Sequence, residues 1–368
     1  MACNPVRNRI TKRIVASLVL FLLLASSGTS GQAVERRIDT SQCRECRLSV
    51  TRIATLGSLA DSVSPNWFGL RVVPLEPGFL VSSSSVPNRL LRYDERGRLL
   101  GTIGRPGSGP GEYQLILEVT PGNNDSIFVL DASRRVTVLD SKFRAARTFN
   151  LPLHPRSAAV DAPGDLVITA TDYSRERAGW PLHLLRADGQ YKMPFGKRNP
   201  TIDPNRPSVD RRKFTILKSG DIIASRPDRY RLELYRPDGT HIGELVRNAP
   251  WFPDRSFEAA AYPNPPSPFI EGLAAFTTDL VLVAAVVPEV PTHRSIQRGE
   301  GHPTTVTHLN RLYDSIIEII NPASGKLVKA VRIDGYVIDV VSPNIIATAE
   351  ETQEGLVRIH VWRVDLTR

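Results

Sequence analysis

One phrase recurs along this chain: LLRYDERG (90–97), VTVLDSKF (136–143), LHLLRADG (182–189), LELYRPDG (232–239), IEIINPASG (317–325) and IHVWRVDL (359–366). Each copy alternates apolar and variable residues and then reaches a polar turn, the period-two signature of a strand entering a hairpin. The large residues before the turns, Tyr93, Leu139, Leu185, Tyr235, Ile320 and Trp362, lie 46, 46, 50, 85 and 42 residues apart. Four of these intervals match the roughly 40 to 50 residues of a four-stranded propeller blade.

An inner pair of strands joined by a tight Gly/Asn/Asp turn precedes the phrase each time, as in 115–133, 156–172, 212–228, 269–287 and 337–351, and more loosely in 68–85. With no amphipathic helix between strands, the sheets must be antiparallel, not parallel α/β layers. The expectation is an all-β, six-bladed β-propeller of four-stranded antiparallel blades. The interval of 85 holds only one inner pair, so 248–268 and 288–312 read as loop insertions, with a seventh blade as the alternative. The proline-rich stretch WFPDRSFEAAAYPNPPSPF supports the loop reading, because proline cannot donate to a ladder. The last unit ends three strands into its blade at Leu366. The strand-like LSVTRIATLG (48–57) is therefore expected to pair beside 357–366 as the outermost strand and shut the ring, which leaves no open edge.

Residues 1–33 read as a secretory signal: basic Arg7, Arg9, Lys12 and Arg13, then the apolar run IVASLVLFLLLA, then small residues up to cleavage after Ala33. Twelve apolar residues are too few to cross a bilayer core of about 30 Å. The mature protein is expected to be exported, periplasmic or secreted, and monomeric, without a stable membrane anchor. Loss of the signal takes four of the 47 Lys+Arg and none of the 38 Asp+Glu. A surplus of five dispersed cations is no nucleic-acid footprint, which needs a concentrated basic patch.

Of three cysteines, Cys3 leaves with the signal, and Cys43 and Cys46 remain in a lead-in spanning 34–47. In an oxidising compartment such a pair can close a small disulfide; a thiol-redox or metal role is the alternative. Arg47 stands where a c-type haem would need histidine.

The stretch GTIGRPGSGPGEYQ (101–114) must carry the chain from the rim of one blade to the hub of the next. Its glycines permit positive φ, while Pro106 and Pro110 limit the freedom lost on folding. It lacks the Gly-Lys-Ser/Thr of a phosphate loop and the helix of a dinucleotide fingerprint. With SIFVLDASRRVTVLD, it resembles an NHL repeat through Gly104, Gly109, Pro110, Gly111, Glu112, Tyr113, Asp131, Arg135 and Val136. The chain as a whole is similar to the exported bacterial six-bladed propellers of unassigned function, in which a CxxC pair follows the signal. The resemblance implies the scaffold, which hosts many activities, rather than one function.

Candidates for chemistry are sparse. No G-x-S-x-G elbow occurs in the mature chain, and the histidines form no H-E-x-x-H. Ser108 fits a turn role. His183 and His360 share one strand position, and His293, His302 and His308 share the 288–312 insertion at spacings matching no standard ligand set. Similar six-bladed propellers include calcium-dependent lactonases and esterases with a metal at the channel mouth. That resemblance would cast Glu118, Asp161, Glu271 and Asp339 of the inner strands as metal candidates, with Arg71, Arg156 and Lys213 nearby making a mixed polar funnel an equal alternative. The leading expectation is a non-catalytic binding protein, without a required cofactor, that recognises a peptide, glycan or protein partner at the channel mouth. The alternative is a metal-dependent lactonase, esterase or lyase with calcium or zinc.

Overall fold

The computed structural model describes Met1 and residues 34–368, apart from 59–60, 62, 64, 67–68, 172–173, 175, 200–211, 254–266, 290–309, 311–312 and 342. The signal reading, the three insertion histidines and most of both insertions lie outside the described residues.

Six antiparallel sheets follow one another around a ring. Blade 1 is built from Arg71–Leu75, Gly78–Ser82, Leu90–Tyr93 and Leu99–Ile103, and blade 2 from Ile116–Pro121, Ile127–Asp131, Arg135–Leu139 and Ala145–Asn150. Blade 3 comprises His154–Val160, Leu166–Thr171, Leu182–Leu185 and Tyr191–Phe195; blade 4 comprises Lys213–Ile216, Ile222–Ser225, Arg231–Tyr235 and His241–Val246. Blade 5 takes Phe269–Ala275, Val281–Pro288, Tyr313–Asn321 and Lys326–Ile333. Blade 6 takes Val337–Val341, Ile345–Glu351, Val357–Thr367 and, as its outer strand, Arg47–Leu56 from the N-terminal side. The recurring phrase is the third strand of every blade, and the fold is the expected six-bladed β-propeller.

Why the sheets stand radially is visible in their second strands, which are buried on both faces. In blade 3, Leu166, Ile168 and Ala170 join the apolar cluster shared with blade 2, while the alternate Val167 joins the cluster shared with blade 4. Period-two side-chain direction turns one apolar run into two seams. Among the described residues six such clusters occur, one for each pair of adjacent blades. The seam between blades 6 and 1, where chain ends meet, is as apolar as the rest: Leu56, Ala347, Ile359 and Val361 pack with Leu70, Val72, Leu91 and Tyr93.

Ring closure runs through Arg47–Leu56, antiparallel to Val357–Thr367 with Leu48 opposite Leu366 and Leu56 opposite Ile359. The lead-in does more than the sequence suggests. Val34–Arg37 adds a fifth, parallel strand to blade 4 against His241–Val246. Asp39 then bridges Lys326 on the rim of blade 5, and the Cys43 amide donates to the Val328 carbonyl at 3.0 Å. Cys43 and Cys46 form a disulfide at the bend between the rims of blades 5 and 6. Residues 34–56 thus strap three successive blades.

The glycine-rich crossover is held at both ends. Asp131, ending the second strand of blade 2, accepts the amides of Gln114 at 2.7 Å, Leu115 at 3.1 Å and Ser133 at 2.8 Å. Arg135 donates to the carbonyls of Ser108 and Glu112. The Glu112 carboxylate accepts the amides of Gly109 and Ser108 and the Nε of Arg105, which hold its pKa below the ordinary value. Gly104 has φ +91°, and a Cβ there would lie 2.6 Å from the buried Tyr113 ring, so the turn admits only glycine.

Candidate functional site

The inner strands of the six blades surround a cavity of about 300 Å³ on the propeller axis. Burying a charge so close to an axis is costly unless it is paired, and the cavity lining is correspondingly a set of pairs. Arg71, opening the inner strand of blade 1, places its Nε 3.2 Å from both carboxylate oxygens of Glu118 on blade 2. Lys213, opening the inner strand of blade 4, donates from Nζ to Glu271 on blade 5 at 2.8 Å. Asp339 on blade 6 accepts the amide of Val72 from blade 1 at 2.7 Å and that of Val340 at 3.0 Å. Each interaction except the last crosses a seam, so the polar ring also ties neighbouring blades together.

β-Bulges aim these side chains. Register slips between Ile270 and Gly272, between Val337 and Asp339, and between Pro155 and Ser157 leave Glu271, Ile338 and Arg156 without partners opposite. Bulges re-aim side chains and recur beside functional sites. At Gly272 a Cβ would stand 2.6 Å from Val340 Cβ, so the inner strands of blades 5 and 6 approach closely only because position 272 carries none.

The sequence-derived candidates divide accordingly. Glu118, Glu271 and Asp339 come together with Arg71 and Lys213. Asp161 does not: it caps the turn after the inner strand of blade 3, accepting the Asp165 amide at 2.7 Å, with Asp165 and Lys192 as its charged neighbours. A turn aspartate preceding Gly164 is bound by its own local backbone, a bond that competes with any role at the axis. Arg156 is exposed and donates to Thr171 Oγ1 at 3.3 Å, and blade 3 offers Ser157 to the cavity instead. His183 is buried on its sheet beside the Tyr191 hydroxyl at 3.0 Å. His360 bridges Thr55 at 3.0 Å and Glu350 at 2.9 Å. Sequence reasoning missed Arg212, whose guanidinium forks onto Glu233 at 3.0 and 3.2 Å in the wall behind Lys213; no local pattern marks it, because its partner is 21 residues away.

The donor set does not suit a calcium cage. Calcium takes six to eight oxygens, yet two of the three carboxylates are already neutralised by cations and the third is held by amides. Among the described residues no group of three or more His, Cys, Asp or Glu is placed to hold a metal ion.

Burial pushes the pKa values of Glu118, Glu271 and Asp339 up, and the pull of Arg71 and Lys213 only partly opposes it. The folded ring therefore holds more protons than the unfolded chain just above the ordinary carboxylate range, and its contribution to stability declines as pH rises through the elevated folded values. Carboxyl ¹³C titration should find these three groups titrating above their ordinary values of 4.5, 4.5 and 3.8, whereas the surface turn acids Asp94 and Asp140, held by backbone amides, titrate below theirs. Three ring acids with ordinary or low values would contradict the buried geometry.

A family model described as a six-bladed β-propeller matches residues 78–203, from the second strand of blade 1 to the end of blade 3. No curated protein matches the chain. Among solved structures, a Bacteroides fragilis protein described as exported is 13% identical, with a TM-score of 0.54 over 91% of this chain and 99% of its own. A Bacteroides vulgatus protein from a domain family of unknown function is 11% identical, with a TM-score of 0.56 over 87% of this chain and 99% of its own. At these identities the likeness is one of fold. Among the described residues no helix is long and apolar enough to cross a membrane.

Proposed function

We propose that the protein is an exported binding propeller, monomeric and without catalytic machinery, which recognises a peptide, glycan or protein partner at its channel mouth. The observation that carries this reading is the pre-paired ring itself. Arg71–Glu118 and Lys213–Glu271 are fixed donors and acceptors on rigid strands, and Asp339 adds a carboxylate without a directly bonded cation. Such a surface complements a segment rich in N–H and O–H donors, and its preorganisation reduces the ordering cost of binding. A hydrolase would instead need a nucleophile beside a base, or an open metal position. Among the described residues the ring presents paired carboxylates and cations in place of such an arrangement.

The described Bacteroides fragilis relative supports export, as does the disulfide, since such bonds persist in oxidising compartments. The Asp131 and Arg135 contacts of the crossover support the reading of blade 2 as an NHL-type unit.

Calorimetry with a panel of short peptides and oligosaccharides tests the proposal. A binder from that panel should lose at least tenfold in affinity in Glu271→Gln and Asp339→Asn, with circular dichroism unchanged. Calcium-dependent turnover of a lactone or aryl ester, lost in the same variants, would favour the metal-hydrolase alternative and overturn the binding reading.

A further inference from the structure

The Cys43–Cys46 disulfide joins residues three apart in sequence, and the strap that carries it is anchored without it. On one side Val34–Arg37 pairs with blade 4, the Asp39 amide donates to the Gly325 carbonyl at 2.8 Å, and the Leu327 amide donates to the Asp39 carbonyl at 2.8 Å. On the other side the ladder of ring closure begins at once, with Arg47 opposite Thr367. A disulfide stabilises mainly by restricting the unfolded chain, and least when the loop it closes is this short. Holding the strap is therefore a small part of what this bond does.

Its two halves are unequally placed. Cys46 is buried, whereas Cys43 is only half-buried. Arg44 and Glu45 between them and Arg47 after them are exposed. The Lys329 ammonium is held against the same bend, donating to the Cys43 carbonyl at 3.2 Å. Of the charged side chains on the bend or bonded to it, three are thus cations, Arg44, Arg47 and Lys329, and one, Glu45, is a carboxylate. Such a field attracts an approaching thiolate and stabilises one released there. An accessible cysteine in electropositive surroundings, beside a buried one, is the arrangement of an attackable sulfur with its resolving partner.

We propose that Cys43–Cys46 is a thiol–disulfide exchange site that oxidises an external dithiol of anionic character. One thiolate of the dithiol attacks the accessible Cys43 sulfur; the bond to Cys46 breaks, and Cys46 leaves as a thiolate that takes up a proton. The second thiolate of the dithiol attacks its own sulfur in the mixed disulfide and releases Cys43 as a thiolate beside its cations. Two electrons pass to the chain and the dithiol ends as a disulfide. One of its two protons ends on Cys46 and the other in solvent. The site lies on the outer rim, apart from the channel, and requires no ligand there.

In a Cys3→Ser background of the full chain, Cys43 and Cys46 are the only cysteines. Acid-quenched alkylation with mass spectrometry reads the opening of the bond by dihydrolipoate, an anionic dithiol, by dithiothreitol, a neutral one, and by a short acidic peptide carrying two cysteines. All three should reduce the folded chain with little change in its thermal midpoint. Relative to dithiothreitol, the two anionic probes should slow about tenfold between low salt and about 1 M salt. The double variant Arg44→Gln, Arg47→Gln should show the same slowing already at low salt. Faster reaction of the peptide than of dihydrolipoate would assign the site to a protein dithiol, and equal or slower reaction to a small one. A bond that opens only after urea unfolds the chain, or anionic probes that gain nothing at low salt, overturns the proposal.

Discussion

A chain without residues 48–57 should lose its single cooperative unfolding transition, or fail to fold. That segment supplies the outer strand of blade 6 and fills the seam by which the ring closes. Leu56 is fully buried, Ala54 is buried beside it, and Leu48 and Val50 pack into the cluster shared by blades 5 and 6. At about 1.5–3 kcal/mol for each large side chain buried, their loss is on the order of 5 kcal/mol, comparable with the whole stability of a typical domain. The deletion would also expose the ladder of Val357–Thr367 as a long unpaired edge, an aggregation template. Urea denaturation followed by both tryptophan fluorescence and far-ultraviolet dichroism reads the result. A truncated chain whose two probes coincide at the parental midpoint would show that closure contributes little.

The second large effect is expected at Glu318, on the third strand of blade 5. Its carboxylate accepts the Tyr230 hydroxyl at 2.6 Å and the Arg247 guanidinium at 3.0 Å, both from blade 4, and its side chain is 1% exposed against 10% for Arg247. Burial, with Glu318 close by, pushes the Tyr230 pKa up, so the phenol stays a proton donor. Glu318→Ala leaves a guanidinium and a hydroxyl buried without their shared acceptor and should cost about 3–5 kcal/mol. The double variant Glu318→Leu, Arg247→Leu should recover most of that loss, because an apolar pair avoids the desolvation of two ions. Thermal and denaturant midpoints of the single and double variants measure it. A Glu318→Ala chain within 1 kcal/mol of the parent would mean that water replaces the lost partner.

The two effects share a cause. A propeller has no single central core; its cohesion lies in the seams between blades and in the devices that bridge them. The strap of residues 34–56, the Tyr230–Glu318–Arg247 group and the axial pairs Arg71–Glu118 and Lys213–Glu271 all act across seams.

What could be read from residues alone was whatever repeats or alternates locally. The third-strand phrase from LLRYDERG to IHVWRVDL, the paired inner strands and the incomplete last unit were enough to state six blades and their closure by 48–57. Each rests on side-chain direction reversing at successive residues, a property of the strand itself. The axial acids were only partly legible. Glu118, Glu271 and Asp339 occupy inner strands as Asp161 nearly does, but the bulge at Glu271, the amide of Val72 aimed at Asp339 and the turn that captures Asp161 depend on backbone from other blades or on local hydrogen bonds. The parallel strand Val34–Arg37 carries no pattern of its own, since all four residues are exposed. Its place is set by the edge that His241–Val246 leaves unpaired. Local alternation determined the strands and their count, and tertiary structure decided which charges meet, because partners hundreds of residues apart in sequence, such as Val72 and Asp339, become neighbours only when the ring closes.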